Sequence, residues 1–309
     1  MAKWGYDVTV YEAESQLGGV LRYGIPEFFL PNSIIEYELD KMRDLGVTFQ
    51  TDTIVGKTIT YEDLKAQGMD GIFIATGVGV ANYMGIPGED LKGVYTASEY
   101  LAKYNLMSPE ELAEALPSLR GKRVAVIGGG NTAIDAVRTA IRLDAKQATI
   151  VYRRSEEEMP ARAEEIKHAR EEGTEFFNLH NPVEYLGDES GHVTAMRLER
   201  MELGAPDESG RRRPVATGEI ITVPVDEVII CIGYSASTLV TKSMPELEVN
   251  KWGNIVVDEG KKTSMPDVYA GGDIVRGAAT VILAMGDGRR AATAMHQKLS
   301  GRIEEGALV

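Results

Sequence analysis

Residues 123–154 hold the feature that most narrows what this 309-residue chain can become. Arg123–Ile127 is a short run of β-formers and Gly128–Gly130 is a turn. Thr132–Leu143 repeats apolar residues at helical spacing, and Ala148–Tyr152 is a second apolar strand. Strand, glycine turn, helix and strand within about thirty residues form a β-α-β unit, whose strands run parallel with a right-handed crossover. The turn, Gly128-Gly129-Gly130-Asn131-Thr132-Ala133, fits G-x-G-x-x-A. Gly128 permits the tight bend, Gly130 lets a pyrophosphate approach the backbone, and Ala133 is small enough for close helix–strand packing. Free N–H groups and the dipole at the helix start attract phosphate charge. The pattern therefore predicts a dinucleotide site. A glycine turn that binds nothing is the competing reading, and the flanking strand and helix weigh against it.

The second strand runs into Tyr152-Arg153-Arg154. A site for NAD places an acid here, roughly twenty residues after the glycines, to hold the ribose 2′-OH. Arginine offers charge and a planar fork of donors instead, which suits a 2′-phosphate. The coenzyme expected is therefore NADPH, with two solvated surface arginines as the alternative. Glu156–Glu158 is read as an exposed turn or helix start, and Arg211–Arg213 as a solvated loop between turn residues.

The rest of the chain alternates strands and helices, which indicates an α/β fold. Tyr6–Tyr11, Val47–Thr51 and Gly71–Ala75 read as strands, and Gly5 resembles a helix-closing cap. Ile34–Leu45, Ala97–Leu106 and Pro109–Leu116 read as helices, the last with Ser108 as N-cap. Beyond the glycine unit come a helix at Arg162–Glu172 and strands at Glu175–Asn178, Val183–Leu186, Val193–Met201, Glu219–Val223 and Val225–Ile232. The last segment reads as strands at Ile255–Val257 and Val268–Ala270, then a helix from about Ala279 to Leu299. Two strands that end abruptly at glycine, Ile72–Gly77 and Ile229–Gly233, flank the central unit. This predicts two Rossmann-like dinucleotide-binding domains: an inner one at 94–233 inserted into an outer one made of 1–93 and 234–309.

Charge and composition exclude several classes. A net charge of −14 argues against nucleic acid or anionic membrane as partner. No apolar stretch reaches membrane-span length, and the first residues lack the regions of a signal peptide, so a cytoplasmic location is expected. The single cysteine, Cys231, lies in an apolar run and is expected to be a buried core thiol. One cysteine also excludes a Cys-x-x-Cys redox pair and an iron–sulfur cluster held by this chain alone. The four histidines show no metal-ligand spacing, and no nucleophile elbow or other hydrolytic motif is present. No metal site and no acid–base catalytic side chain is expected.

A second set of motifs lies outside the glycine unit. Val8–Tyr11 ends at Glu12, an acid placed as at the end of a second Rossmann strand, where a ribose is held. Gly18-Gly19 opens Gly-Gly-Val-Leu-Arg-Tyr-Gly-Ile-Pro, and Tyr269-Ala270-Gly271-Gly272-Asp273 places an acid after a strand and two glycines. The glycines permit close ligand approach and Asp273 can accept a hydroxyl hydrogen bond; a plain turn with a capping Asp would also account for the last motif.

With these stretches, and with Ile74–Gly77, Val151–Ala161 and Val268–Ala292, the chain resembles the small subunit of NADPH-dependent glutamate synthase and its relatives over nearly its whole length. The resemblance implies a flavin-dependent NADPH oxidoreductase that passes hydride from NADPH to FAD and electrons onward. The recipient would be a partner subunit carrying iron–sulfur or flavin centres, such as the glutamate synthase large subunit or a ferredoxin-like carrier. It implies that Glu12, Gly19, Gly272, Asp273 and the Val281 region serve FAD, with Arg22 in the same stretch. Gly128, Gly130, Asn131, Thr132, Arg153 and Arg154 would serve NADPH. Relatives carry a glycine fingerprint upstream of Glu12 that would precede Met1 here, and their cysteine-rich iron–sulfur region is absent. Three expectations follow: a partner chain supplies the missing part, the protein begins earlier, or the outer domain no longer holds FAD. The alternative function is a non-catalytic NADPH-binding module or scaffold.

Overall fold

The computed structural model describes residues 1–208 and 210–301. The chain divides into two compact units. The first comprises 1–17, 33–80 and the segment from 233 onward, and the second comprises 18–32 and 81–232.

The second unit is built on a five-stranded parallel sheet. Its strand order is Val94–Thr96, Glu227–Ile230, Arg123–Ile127, Gln147–Tyr152 and Glu175–Asn178. A parallel sheet is covered on both faces, so its central strands read as unbroken apolar runs. Val124, Ala125, Val126 and Ile127 are all buried, as are Val228, Ile229 and Ile230. Helix Asn131–Arg142 crosses between the two strands of the glycine unit and presents Ala133, Ile134, Ala136, Val137 and Ala140, each fully buried. Small residues at 133, 136 and 140 let the helix lie close to the sheet.

A second, antiparallel sheet follows, with Val193–Pro206 between His180–Gly187 and Arg212–Pro224. Tyr185, Val193, Met196 and Leu198 share one core with Ala125, Ile127, Val151, Val228 and Ile230. The two strands of the sheet's long hairpin, Val193–Pro206 and Arg212–Pro224, are longer than their apolar stretches suggest. Arg212 and Arg213 lie within its returning strand, not in a solvated loop.

The stretch 18–32 joins this unit through polar and aromatic contacts. Asn105 Nδ2 donates to the Tyr23 carbonyl at 3.0 Å, and Arg22 is buried. Phe28 lies beneath two guanidinium groups, with its ring centre 4.9 Å from Arg138 and 4.2 Å from Arg142. The units thus divide the chain elsewhere than at 93/94 and 233/234: residues 18–32 and 81–93 cluster with the glycine unit. Long-range packing of this kind leaves no mark in local sequence.

The first unit holds two parallel strand pairs, Thr9–Tyr11 with Thr48–Gln50 and Ile72–Ile74 with Val268–Ala270. Ile74, Met244, Leu247, Ile255, Val268, Ala270 and Ile274 form its main buried cluster. Gly5 closes the first helical turn with φ of 83°, as its position after Met1–Trp4 suggested. His296 on the long helix Val281–Ser300 stacks on Trp4 at 4.5 Å and hydrogen-bonds Tyr6 Oη at 3.0 Å. That histidine pins the N-terminal turn to the helix.

Some elements differ from the sequence reading. Ile255 makes only an isolated bridge with Val249, so 255–257 is not a regular strand. The short helices Val20–Tyr23 and Tyr61–Ala66 carry no amphipathic repeat long enough to read. The latter is set by a capping box between Thr60 and Asp63. Pro109–Leu119 starts at Ser108 as expected, with Ser108 Oγ accepting from the Glu111 N–H at 3.2 Å.

Ile134 is 0% exposed between helix and sheet. Ile134→Ala should lower stability by about 2–5 kcal/mol, read as a lower denaturant midpoint with an unchanged slope.

Candidate functional site

The turn after Arg123–Ile127 is shaped by two close approaches. Gly128 has φ of 143° and donates its N–H to the Val151 carbonyl at 3.0 Å. A Cβ there would stand 2.3 Å from the Cys231 carbonyl oxygen, because Cys231 continues the neighbouring strand and donates its N–H to Ile127 at 2.8 Å. At Gly129 a Cβ would strike the Tyr152 ring at 2.7 Å, and the Gly129 carbonyl accepts from Ala161 at 3.1 Å.

Gly130 is different. No atom lies within 4 Å of where its Cβ would be, and its backbone is extended ahead of helix Asn131–Arg142. The first N–H groups of a helix have no partner inside it. An open glycine before such a turn is a cradle for an anion. Asn131 is exposed and Thr132 half-buried at the same turn. Asn131 Oδ1 accepts from the Arg162 N–H at 3.0 Å, which ties the cradle to the start of helix Ala163–Glu171.

The two arginines after Gln147–Tyr152 part company. Arg153 is exposed and has no ion-pair partner among the described residues. Arg154 is 6% exposed. Its Nε donates to the Arg212 carbonyl at 2.7 Å and its Nη2 to Asp207 Oδ2 at 2.7 Å. Glu156–Glu158 forms a helical turn, but Glu158 is buried and ion-paired with Arg212, not exposed. Ser155 and Arg212 hold its carboxyl below the usual range although burial opposes them.

Asp135, one turn into the cradle helix, carried no signal in the sequence. Burial, and then the charge of Glu165, push its pKa up to about 7. Arg138 acts the other way but is engaged by Glu165 and Glu172, each at 2.8 Å. Cys231 is free and buried, and burial raises its thiol pKa well above the usual range, which suits a core thiol.

The remaining sequence-predicted residues divide between the units. Glu12, Gly272, Asp273 and Val281 belong to the first, and Gly19 and Arg22 to the second. Glu12 follows strand Thr9–Tyr11, donates its N–H to Gln50 at 2.8 Å and accepts from the Glu14 N–H at 3.0 Å. Gly19 precedes helix Val20–Tyr23 with φ of 53° and open space around it. Gly272 begins helix Asp273–Arg276 in a conformation that favours glycine, φ 73°. Burial raises the Asp273 pKa, while its Oδ1 accepts from Ala279 at 3.2 Å. Val281 opens the long helix and is 46% exposed.

The Gly-Gly-Asp turn rests on a residue that sequence reading missed. Asp287 on the long helix is 0% exposed. It accepts from Arg276 twice at 2.6 Å, from Lys261 at 2.8 Å and from the Gly272 N–H at 3.2 Å. Arg276 above all, with Lys261 and Gly272, holds its carboxyl well below the usual range. Only its place in a Gly-Asp-Gly-Arg-Arg run, where an acid interrupts an apolar helix, could have flagged it.

Among the described residues, no group of His, Cys, Asp and Glu is arranged to hold a metal, and no helix is long and apolar enough to cross a membrane.

A family model for pyridine nucleotide-disulphide oxidoreductases matches residues 1–288. The chain belongs to that family. It is 42% identical over 303 residues to the NADP(+)-dependent formate dehydrogenase subunit beta of Moorella thermoacetica, covering 97% of this chain and 41% of that protein. It is 38% identical to the glutamate synthase [NADPH] small chain of Azospirillum brasilense, covering 97% of this chain and 63% of the other. A putative glutamate synthase [NADPH] small chain of Cereibacter sphaeroides is 38% identical over 93% of this chain and 70% of its own length. The chain thus spans about two fifths of the length of the first of these relatives and less than two thirds of the second. Among solved structures, Mycobacterium tuberculosis FprA in complex with NADPH superposes with a TM-score of 0.78 at 21% identity, over 96% of this chain and 78% of the other. The thioredoxin reductase of T. acidophilum gives 0.71 at 20% identity, over 97% and 92%. These likenesses show the fold, a pair of dinucleotide-binding domains. The family name's disulphide chemistry has no counterpart within this chain, which has one cysteine.

Two outcomes test the geometry. Gly128→Ala should abolish coenzyme binding or folding outright, because the carbonyl of Cys231 occupies the new methyl's place; calorimetric titration beside a melting curve separates the two. Asp135 has a folded pKa of about 7, raised above the ordinary carboxyl value. Its contribution to stability is therefore full below about pH 4, the unfolded pKa, and is lost as pH climbs through about 7. Asp135→Asn should flatten the fall in melting temperature between those pH values.

Proposed function

We propose that this chain binds NADPH at the glycine turn of its second unit and, together with FAD, forms the electron-input part of a larger redox protein. The carrying observation is the open backbone of Gly130 at a helix start, one strand away from an exposed arginine without an ion-pair partner among the described residues. The first takes a pyrophosphate, and the second suits a 2′-phosphate. The names of all three relatives carry NADP(+) or NADPH, and each name is that of a subunit or chain.

The residues fit NADPH. Gly128 and Gly129 bring strand and helix close enough for the turn, Gly130 leaves the approach open, and the first turn with Asn131 and Thr132 supplies donors. Arg153 would pair with the 2′-phosphate. When bound, NADPH supplies a hydride and FAD is the group that accepts it. On the FAD side, Glu12 at a strand end suits a ribose hydroxyl. Gly19, Arg22, Gly272, Asp273 and Val281 are the further residues proposed to serve it. Asp287 is a positioning residue there, since it fixes the Gly272 N–H and Arg276.

Electrons would leave to a partner subunit carrying iron–sulfur or flavin centres, for one cysteine cannot hold a cluster. Among the described residues, Thr9–Tyr11 and Ile72–Ile74 each pair with a strand on one side only, and Val10 and Phe73 at their centres are 38% and 37% exposed. Each edge leaves backbone groups that an added strand could pair, and a segment from elsewhere in the assembly is the proposed source. The compartment proposed is the cytoplasm.

The test is the visible spectrum of the purified chain, alone and with its neighbouring subunit, before and after anaerobic NADPH. A flavin band that bleaches supports the reading. Colourless protein that still binds NADPH would reduce the chain to a coenzyme-binding module. Arg153→Ala should weaken NADPH binding by about tenfold or more, the scale of a charge-assisted contact, and leave NADH binding unchanged.

A further inference from the structure

The strands of the hairpin Val193–Pro206/Arg212–Pro224 run to 14 and 13 residues, and its tip is not idle. It is fastened to the segment that follows Tyr152 by a chain of charged contacts. Arg154 donates to Asp207 and to the Arg212 carbonyl, each at 2.7 Å. Arg212 returns to Glu157 at 2.9 Å and also pairs with Glu158. Glu158 accepts from Ser155, and its carbonyl accepts from Tyr152 Oη at 2.9 Å. Arg154 and Glu158, the two inner members, are 6% and 7% exposed. Arg153, between Tyr152 and this latch, is the exposed cation.

A guanidinium that is buried, with two of its donors tied to a carboxylate and a carbonyl, is poorly placed to take a second anion. An adjacent guanidinium with no such ties is well placed. We propose that the two arginines divide the work: Arg153 meets the 2′-phosphate, while Arg154 is a positioning residue that locks the hairpin tip to the 153–158 segment. Asp207 and Arg212, far off in sequence, thereby set the preference for the 2′-phosphorylated coenzyme. The inference rests on the proposed NADPH site and specifies which residues discriminate there.

The decisive variant is Asp207→Asn, because the two roles for Arg154 predict opposite signs. If Arg154 positions, loss of its anchor loosens the segment that carries Arg153. If Arg154 touches the phosphate itself, removal of a competing carboxylate frees it. Dissociation constants for NADPH and NADH are measured by titration on the full chain, with its partner subunit where that is needed for solubility. The expected result is that Asp207→Asn weakens NADPH binding by about threefold to tenfold with NADH little changed, on the scale of one charge-assisted bond. Arg212→Ala, with a half-exposed side chain, should shift the same ratio in the same direction. Unchanged or tighter NADPH binding in Asp207→Asn, with a melting temperature near that of the parent, overturns the proposal. If Asp207→Asn fails to fold, Arg212→Ala decides it by the same ratio. Failure of the underlying site looks different, since the parent chain would then bind NADPH no better than NADH.

Discussion

The second unit depends on one contact between backbones. At the end of strand Arg123–Ile127, the chain must turn sharply while the neighbouring strand continues past it as Cys231. Only a residue without a side chain fits, since a Cβ at Gly128 would lie 2.3 Å from the Cys231 carbonyl. Once that turn is made, the helix beginning at Asn131 starts in the right place and its small residues bring it onto the sheet. The cradle at Gly130 is thus a by-product of tight packing behind it. Gly128 and Gly129 allow the core to close, and Gly130 leaves the front open.

Charge is used in two ways across the molecule. Buried acids act as fasteners: Asp287 gathers Lys261, Arg276 and a backbone N–H beneath the Gly-Gly-Asp turn, and Glu158 joins Arg212 below the cradle loop. Such groups persist inside a protein only when paired, and an unpaired partner would be costly. Against these fasteners, Arg153, exposed and without an ion-pair partner among the described residues, stands out as a group that is available. The binding role proposed for it rests on contrast with its neighbours more than on its own identity.

Membership of the pyridine nucleotide-disulphide oxidoreductase family agrees with a chain that contains one parallel dinucleotide unit intact and a second built from paired strands. The single cysteine separates it from members that shuttle electrons through a dithiol.

Local sequence was sufficient for everything that depends on neighbours in the chain. The Gly128–Ala133 turn, the strands and helix around it, the Ser108 cap and the αL glycine at position 5 follow from backbone sterics and short-range periodicity, so they could be read directly. The buried state of Cys231 followed from its apolar surroundings in the same way. Tertiary structure alone decided the rest. Residues 18–32 joined the glycine unit because Phe28 and Tyr23 meet Arg138, Arg142 and Asn105 more than seventy-five positions away in sequence. Arg153 and Arg154 are identical in type and adjacent in sequence, yet one is exposed and the other sealed against Asp207. Composition cannot distinguish them, because burial and pairing are properties of what the fold brings alongside, and those partners lie on a hairpin some fifty residues further on.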